Sequence, residues 1–348
     1  MISNRHCETA VHSVPTCPPV AWRKQSVCRD CFVATLLAMT VVLKVTSVFA
    51  EAPVSKDAIA FSRLTNGYWQ IWTVAPNGDN LIQRTTSLKD KRNPVWKPGE
   101  DKILYHTSDN ELFLYDLTAQ EEAQLLPGLG RIGDASFTPD GRKLIFTRFD
   151  ENVKDTSNLW LYDFDTKGKT LLTQDPGLQY SPDVSPDGTK VVYVAGKGWG
   201  THEIWVLNLE SSATQRSSAA PQAKLADPSS RQTEGGQAGG KEKKRLTENE
   251  SYDVTPEFSA DGTKVAYASN LMGNYDIWLM DSDGKNQRKI TKPIGMETSP
   301  TWSPKGDRLA IASQRKGNLQ IWLMDPQGKE WKQLTFGDEE AREPAWRR

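Results

Sequence analysis

One segment recurs along most of this 348-residue chain, and that recurrence restricts the fold more than any single motif does. It reads NPVWKPGEDKILYHTS from Asn93, DASFTPDGRKLIFTRF from Asp134 and SPDVSPDGTKVVYVAG from Ser181. It returns as TPEFSADGTKVAYASN from Thr255 and SPTWSPKGDRLAIASQ from Ser299. A second segment follows each time and ends on an aliphatic–aromatic pair, whose aromatic member falls at Trp72, Phe113, Trp160, Trp205, Trp278 and Trp322. The steps are 41, 47, 45, 73 and 44 residues, so the unit is constant apart from one insertion. Repeats of this length cannot bury an apolar face alone and must stack on their neighbours.

Each unit divides into four short strands. The first follows a Pro and carries Trp96, Phe137, Val184, Phe258 or Trp302, and a Pro at a strand's first residue removes no ladder hydrogen bond. A turn such as Pro186-Asp187-Gly188 reverses the chain into an alternating, β-branched second strand. The third strand holds the repeated aromatic, and a D-x-x-G turn leads to the fourth, as in QRKIT and WKQLT. Four strands per repeat predict an all-β fold, a six-bladed β-propeller of four-stranded antiparallel blades. The opening strand beginning at Ala58 has no partner before it, whereas Glu343-Pro344-Ala345-Trp346 matches a first strand with nothing after it. The expectation is a ring closed by the C-terminal strand pairing into the N-terminal blade, which removes the exposed sheet edges of an open array.

Residues 1–50 read as a leader. Arg23, Lys24 and Arg29 precede the apolar run from Phe32 to Leu43, which is too short to cross a bilayer core as a helix. Val48-Phe49-Ala50 supplies small residues for a signal peptidase, so the expectation is a cleaved export signal, with an uncleaved inner-membrane anchor as the alternative. All four cysteines (Cys7, Cys17, Cys28, Cys31) fall in the leader, and no second pair completes a zinc pattern with Cys28 and Cys31. The leader holds five of the 43 Lys/Arg and two of the 44 Asp/Glu, so a chain from Glu51 has 38 and 42, a net of −4. A cysteine-free, mildly acidic chain suits an oxidising exported compartment and does not suit nucleic acid. The propeller is assigned to residues 51–348. Ser211–Lys243 is read as a disordered insertion, because it lacks aromatics and is crowded with Ser, Ala, Gln and Gly.

The unit S-P-D-G-x-K followed by I-W-L-M-D resembles the TolB-type propeller repeat. Pro186 to Lys190, Asp261 to Lys264, Ile277 to Asp281 and Ile321 to Asp325 carry the likeness, while the Gly-His and Trp-Asp pairs of WD repeats are absent. The resemblance covers about residues 58–348 and implies a periplasmic propeller that binds other envelope proteins, of the Tol–Pal type. TolB itself carries an N-terminal α/β domain for which there is no counterpart between Glu51 and the first strand.

Catalytic motifs do not survive their context. Gly128, Gly130 and Gly133 match G-x-G-x-x-G, but they precede a strand and offer no helix N-terminus to a pyrophosphate. Asp281, Asp283 and Gly284 begin like a calcium loop, yet lack its distant Glu and sit in a repeated turn. No cofactor or metal is expected. In this register the fourth-to-first and second-to-third connections share one face, here the loop face, and the two tight turns share the other. The less uniform loop face carries Lys91, Arg92, Arg131, Tyr180, Trp199, His202, Asp253, Glu297 and Arg342, the candidate partner-binding residues. The expected protein is a monomeric, exported, non-catalytic binding module or scaffold for an envelope protein or peptide. It has no nucleic-acid partner and no membrane span once the signal is cleaved. The alternative is a propeller enzyme acting on a glycan or small molecule over the central channel, using His106 or His202 with nearby acids, with or without a metal.

Overall fold

The computed structural model describes residues 54–196, 200–209, 242–292 and 295–348. The leader call on 1–50 and most of the insertion call therefore lie outside the described residues. The described residues form six four-stranded antiparallel sheets. Blade 1 joins β24 (Ala341–Trp346) to β1 (Ile59–Thr65), β2 (Tyr68–Val74) and β3 (Ile82–Gln83). Blade 2 is β4 (Lys91–Trp96), β5 (Lys102–Thr107), β6 (Leu112–Asp116) and β7 (Glu121–Leu125). Blade 3 is β8 (Ile132–Phe137), β9 (Lys143–Phe149), β10 (Ser157–Asp163) and β11 (Lys169–Leu171). Blade 4 is β12 (Leu178–Val184), β13 (Lys190–Gly196), β14 (His202–Asn208) and β15 (Lys243–Arg245). Blade 5 is β16 (Asp253–Phe258), β17 (Lys264–Ser269), β18 (Asp276–Asp281) and β19 (Arg288–Lys289). Blade 6 is β20 (Glu297–Trp302), β21 (Leu309–Ser313), β22 (Gln320–Met324) and β23 (Lys332–Gln333). Closure is as expected, with Ile59 opposite Trp346 and Ala60 opposite Ala345. Lys243, placed at the end of the insertion by the sequence, instead opens the fourth strand of blade 4 opposite Leu207.

The inner strands differ from the expectation in one respect. Pro94, Pro182, Pro256, Pro300 and Pro344 sit in the middle of their strands, not at the start. The pairing register slips there, between Arg92 and Val95, Tyr180 and Asp183, Val254 and Glu257, and Thr298 and Thr301. The residue before each Pro, among them Asn93, Ser181 and Glu343, takes a positive φ of about 50°. A bulge leaves one residue out of the ladder, and a Pro without an N–H is tolerated at that point. Blade 3 has Ala135 in place of the Pro, and Asp134 keeps a negative φ although its strand also bulges.

The turns after the inner strands are built from side chains. Ser185 Oγ donates to Asp187 Oδ1 at 2.6 Å and accepts the Lys190 N–H at 2.9 Å, while Gly188 takes φ 71° to complete the reversal. Ser259 and Asp261 repeat this arrangement in blade 5. The Thr that follows the outer strand carries a second recurring bond. The Oγ1 atoms of Thr85, Thr173, Thr247, Thr291 and Thr335 accept the N–H of Ile71, Leu159, Ile204, Ile277 and Ile321 at 2.8–2.9 Å. The hydroxyls of Thr85, Thr247, Thr291 and Thr335 donate to Gln70, Glu203, Asp276 and Gln320, and that of Thr173 to Asn158 or Gln179 at 3.4 Å. Each Thr so clasps an outer strand to the start of its neighbour where the ladder is only two or three residues long. Blade 2 has no such Thr, and its outer strand β7 is correspondingly longer, at five residues.

Apolar packing lies between blades. Trp302 and Trp322 share a cluster with Ile277 and Ile311, while Trp346 packs with Ile59, Ile321 and Leu323. Deleting Glu343–Arg348 removes a ladder strand and the buried Trp346, and is expected to lower the melting temperature by roughly 10 °C. The more local change Thr335→Val strands the Ile321 N–H and the Gln320 carbonyl in a buried site. It should cost about 1–3 kcal/mol, read from urea unfolding midpoints.

Candidate functional site

The inner strands surround a central channel of about 430 Å³. Pro94, Pro182, Pro256, Pro300 and Pro344 line its wall, and Pro98, Pro139, Pro186 and Pro304 ring its turn-face end. Near that end Asp183 accepts the Phe258 N–H at 2.8 Å, and Glu257 accepts the Trp302 N–H at 2.8 Å and the Thr301 hydroxyl at 2.9 Å. Arg348 pairs with Glu257 and lies 3.8 Å from Asp183, tying the C-terminal end of blade 1 to blades 4 and 5. Burial raises the Asp183 pKa; the neighbouring Arg348 pulls it back, and the like charge of Glu257 adds to the rise.

At the loop-face mouth the central group is Glu343. It receives Arg92 Nε at 2.9 and 3.0 Å, the Asn93 N–H at 2.9 Å and the Ser62 hydroxyl at 2.8 Å. Burial alone would raise its pKa, but these donors, Arg92 foremost, hold the carboxyl below its ordinary value. Beside it Trp69 takes two guanidinium groups on its ring, Arg92 at 4.6 Å and Arg342 at 5.1 Å. Across the mouth the Tyr180 hydroxyl meets His202 Nδ1 at 2.6 Å, and the Tyr252 ring stands 4.8 Å from the imidazole.

The sequence-derived contact residues divide by burial. Arg131 is exposed, with its guanidinium 5.1 Å from the Phe149 ring, and Arg92, Tyr180 and Arg342 are half-buried at the mouth. Lys91, His202, Asp253 and Glu297 are buried, so they do not present free contact surface. Lys91 Nζ is held by Glu122 at 2.5 Å and the Tyr105 hydroxyl at 3.2 Å. Asp253 accepts Asn249 Nδ2 at 2.8 Å and the Ser251 hydroxyl at 3.1 Å, and Glu297 accepts the Ser313 hydroxyl at 3.0 Å. Lys91, Asp253 and Glu297 each open an inner strand, whereas His202 opens the third strand of blade 4, so a position at the end of a strand is not thereby at the surface. Trp199 lies outside the described residues.

The two histidines considered for catalysis are held separately. His106 Nε2 lies 3.0 Å from Asn93 Nδ2 and 3.8 Å from Asp134, whereas His202 belongs to the tyrosine cluster. Among the described residues no group of three or more His, Cys, Asp and Glu is placed to hold a metal ion.

Sequence reasoning missed the exposed apolar side chains. Among the described residues the exposed large ones are Tyr68, Leu81, Leu88, Val153, Leu271, Met272 and Phe336. All but Leu81 lie on the loop-face side, Tyr68 as the first residue of β2 and the others on connections. Leu88 is 77% and Phe336 63% exposed, and both sit on pinned backbone. Gln70 Nε2 donates to the carbonyls of Ser87 and Lys89 at 2.8 and 3.0 Å, and Arg63 donates to the Phe336 carbonyl at 2.8 Å.

A closed ring of six four-stranded blades around a central channel defines the chain as a β-propeller. The particular likeness is to TolB. Residues 237–348 match the family model of the TolB beta propeller domain. A Tol-Pal system protein TolB from Anaeromyxobacter dehalogenans (strain 2CP-C) is 28% identical over 135 residues, which cover 38% of this chain and 30% of that protein. The match thus spans less than a third of that relative. The crystal structure of TolB from Acinetobacter baumannii superposes with a TM-score of 0.65 at 20% identity, covering 83% of this chain and 66% of that one. A putative TolB from Agrobacterium tumefaciens gives 0.62 at 18% identity, covering 83% and 98%. These likenesses show the propeller fold, and among the described residues no helix is long and apolar enough to cross a membrane.

The channel cluster makes a pH-dependent prediction. Removing Arg348 leaves Asp183 and Glu257 facing each other without a counter-ion. At pH 8 Asp183 is charged beside Glu257, whereas toward pH 5 Asp183, with its raised pKa, takes up a proton and relieves the repulsion. Arg348→Ala should therefore cost about 1–3 kcal/mol at pH 8 and clearly less at pH 5, measured by urea unfolding at each pH.

Proposed function

We propose that this chain is an exported, non-catalytic propeller that binds an envelope protein or peptide across its loop face, acting as a monomer in the periplasm. The observation that carries this reading is the one-sided distribution of exposed apolar side chains, six on the loop face against Leu81 on the turn face. Apolar and aromatic groups on pinned loops supply contact area at little cost in ordering, as interface anchors do. Arg92, Arg131, Tyr180 and Arg342 flank them and supply the polar contacts. The likeness to a Tol-Pal system protein supports a partner of the Tol–Pal type and an envelope location. In this reading the buried Lys91, His202, Asp253 and Glu297 hold the shape of the face from beneath, and Trp199 is retained as a contact residue.

The test is capture from envelope extract on immobilised residues 51–348, with bound proteins identified by mass spectrometry. Leu88→Asp/Phe336→Asp should reduce the captured partner at least about tenfold, because charge at an apolar anchor disrupts a packed contact. Arg131→Ala should reduce it less, and Leu81→Asp on the opposite face should leave it unchanged. Equal recovery by the loop-face and turn-face variants would overturn the assignment of the face.

A further inference from the structure

At four boundaries between blades, a residue near the start of one blade's third strand corresponds to one near the start of the next blade's inner strand. The side chains are Asn158 with Gln179 between blades 3 and 4, and Gln320 with Ala341 between blades 6 and 1, where no charge is buried. Two boundaries instead set acid against acid, Glu203 with Asp253 and Asp276 with Glu297, and all four residues are at most 4% exposed.

The two acid pairs are not supported alike. Glu203 receives Arg245 at 2.8 Å, the Thr247 hydroxyl at 2.7 Å and the Asn249 N–H at 3.0 Å. The Asn249 amide then reaches Asp253 at 2.8 Å, so one residue bridges both carboxylates. Both acids of that pair are thus supplied with hydrogen-bond donors. At the other boundary Asp276 takes Thr291 at 3.0 Å and Lys289 at 3.1 Å, and Glu297 takes only Ser313 at 3.0 Å. Glu297 Oε2 is buried with no hydrogen-bond partner among the described residues. An ionised carboxylate oxygen in that position would forfeit its hydration with nothing in return, whereas a protonated one would not.

We infer that the boundary between blades 5 and 6 is a proton-operated joint, in which Glu297 holds a proton while the blades are closed and loosens them as it ionises. The charged groups facing Glu297 are Asp276 on β18, Lys289 on β19 and Arg315 beyond β21. Burial first, opposed by the Ser313 bond, and then repulsion from Asp276 bring its pKa up to about 7, with Arg315 and Lys289 opposing more weakly. The sign follows from the raised value. The folded joint holds its proton more tightly than an unfolded chain does, so its contribution is complete below the ordinary glutamate pKa of 4.5 and is lost as pH rises through about 7. The moving part is the backbone contact that crosses this boundary on the loop face, the Glu297 N–H to the Tyr275 carbonyl at 2.9 Å.

Hydrogen exchange of the full chain, followed by mass spectrometry from pH 5.5 to 8 and corrected for intrinsic exchange chemistry, tests the joint. Peptides covering Asp276–Asp281 and Glu297–Trp302 should lose protection about tenfold over that range, while peptides from β14 and β16 stay level. Glu297→Gln should abolish the pH dependence, and Asp276→Asn should move its midpoint to lower pH by removing the repulsion. Level protection in the wild-type chain, an equal loss at both acid boundaries, or an unchanged slope in Glu297→Gln would overturn the inference. If Glu297→Gln does not fold, an unmoved midpoint in Asp276→Asn overturns it alone.

Discussion

The ring depends on a hydrogen bond that passes from a side chain on one inner strand to the next blade. Ser136 accepts the Val184 N–H, Asp183 that of Phe258, Glu257 that of Trp302 and Thr301 that of Trp346. Glu343 does the same for Asn93 one register higher, and Asn93 in turn reaches Asp134. Every boundary is thereby bridged at the channel wall. These N–H groups sit beside the bulges, where the sheet's own ladder is interrupted. A polar side chain facing the channel satisfies a backbone donor that would otherwise be buried and unpaired. The bulge, the Pro and the polar channel wall are consequences of one another.

This changes how the acidic channel is to be read. Asp183, Glu257 and Glu343 look from their residue types like a set of ligands, but each is already committed to a backbone N–H and to an arginine. The arginines are Arg348 at the turn-face end and Arg92 at the loop-face mouth. Asp183 and Glu257 share Arg348, and Glu343 has Arg92, so these carboxylates are engaged in bonds that run between blades. The loop-face connections lie outside this set of bonds.

The architecture was legible because its signals are local and repeated. The aromatic spacing counted the blades and the unpaired opening strand announced closure; of the repeated third-strand tryptophans, Trp278 and Trp322 are buried and Trp72, Trp160 and Trp205 are half-buried. The Thr clasp was present in QRKIT and WKQLT, yet a Thr after a β-strand has ordinary β propensity, and its partner lies about 14 residues back on another strand. The make-up of the loop face was legible in part. Register placed Arg92, Arg131, Tyr180 and Arg342 on that side, where they are exposed or half-buried, but could not show that Lys91, Asp253 and Glu297 are buried there. Leu88 and Phe336 escaped notice because an apolar residue just after a strand reads as its tail. Only the pinned carbonyls beside them show that they are held outward.

Different parts of the repeat thus answer to different constraints. The turn face is uniform because its Ser, Asp and Gly are needed to reverse the chain, and a substitution there breaks a named bond. At the loop face the reversal is made by the Thr clasp beneath, whose Oγ1 holds the same N–H in five blades while the loop above it varies. Fixing the strands from below leaves the loop residues free to differ between blades without disturbing the ring. One face of a symmetric scaffold can therefore carry an asymmetric surface: Trp69 with two arginines on one side of the channel, the Tyr180–His202–Tyr252 cluster on the other, and apolar anchors outside them.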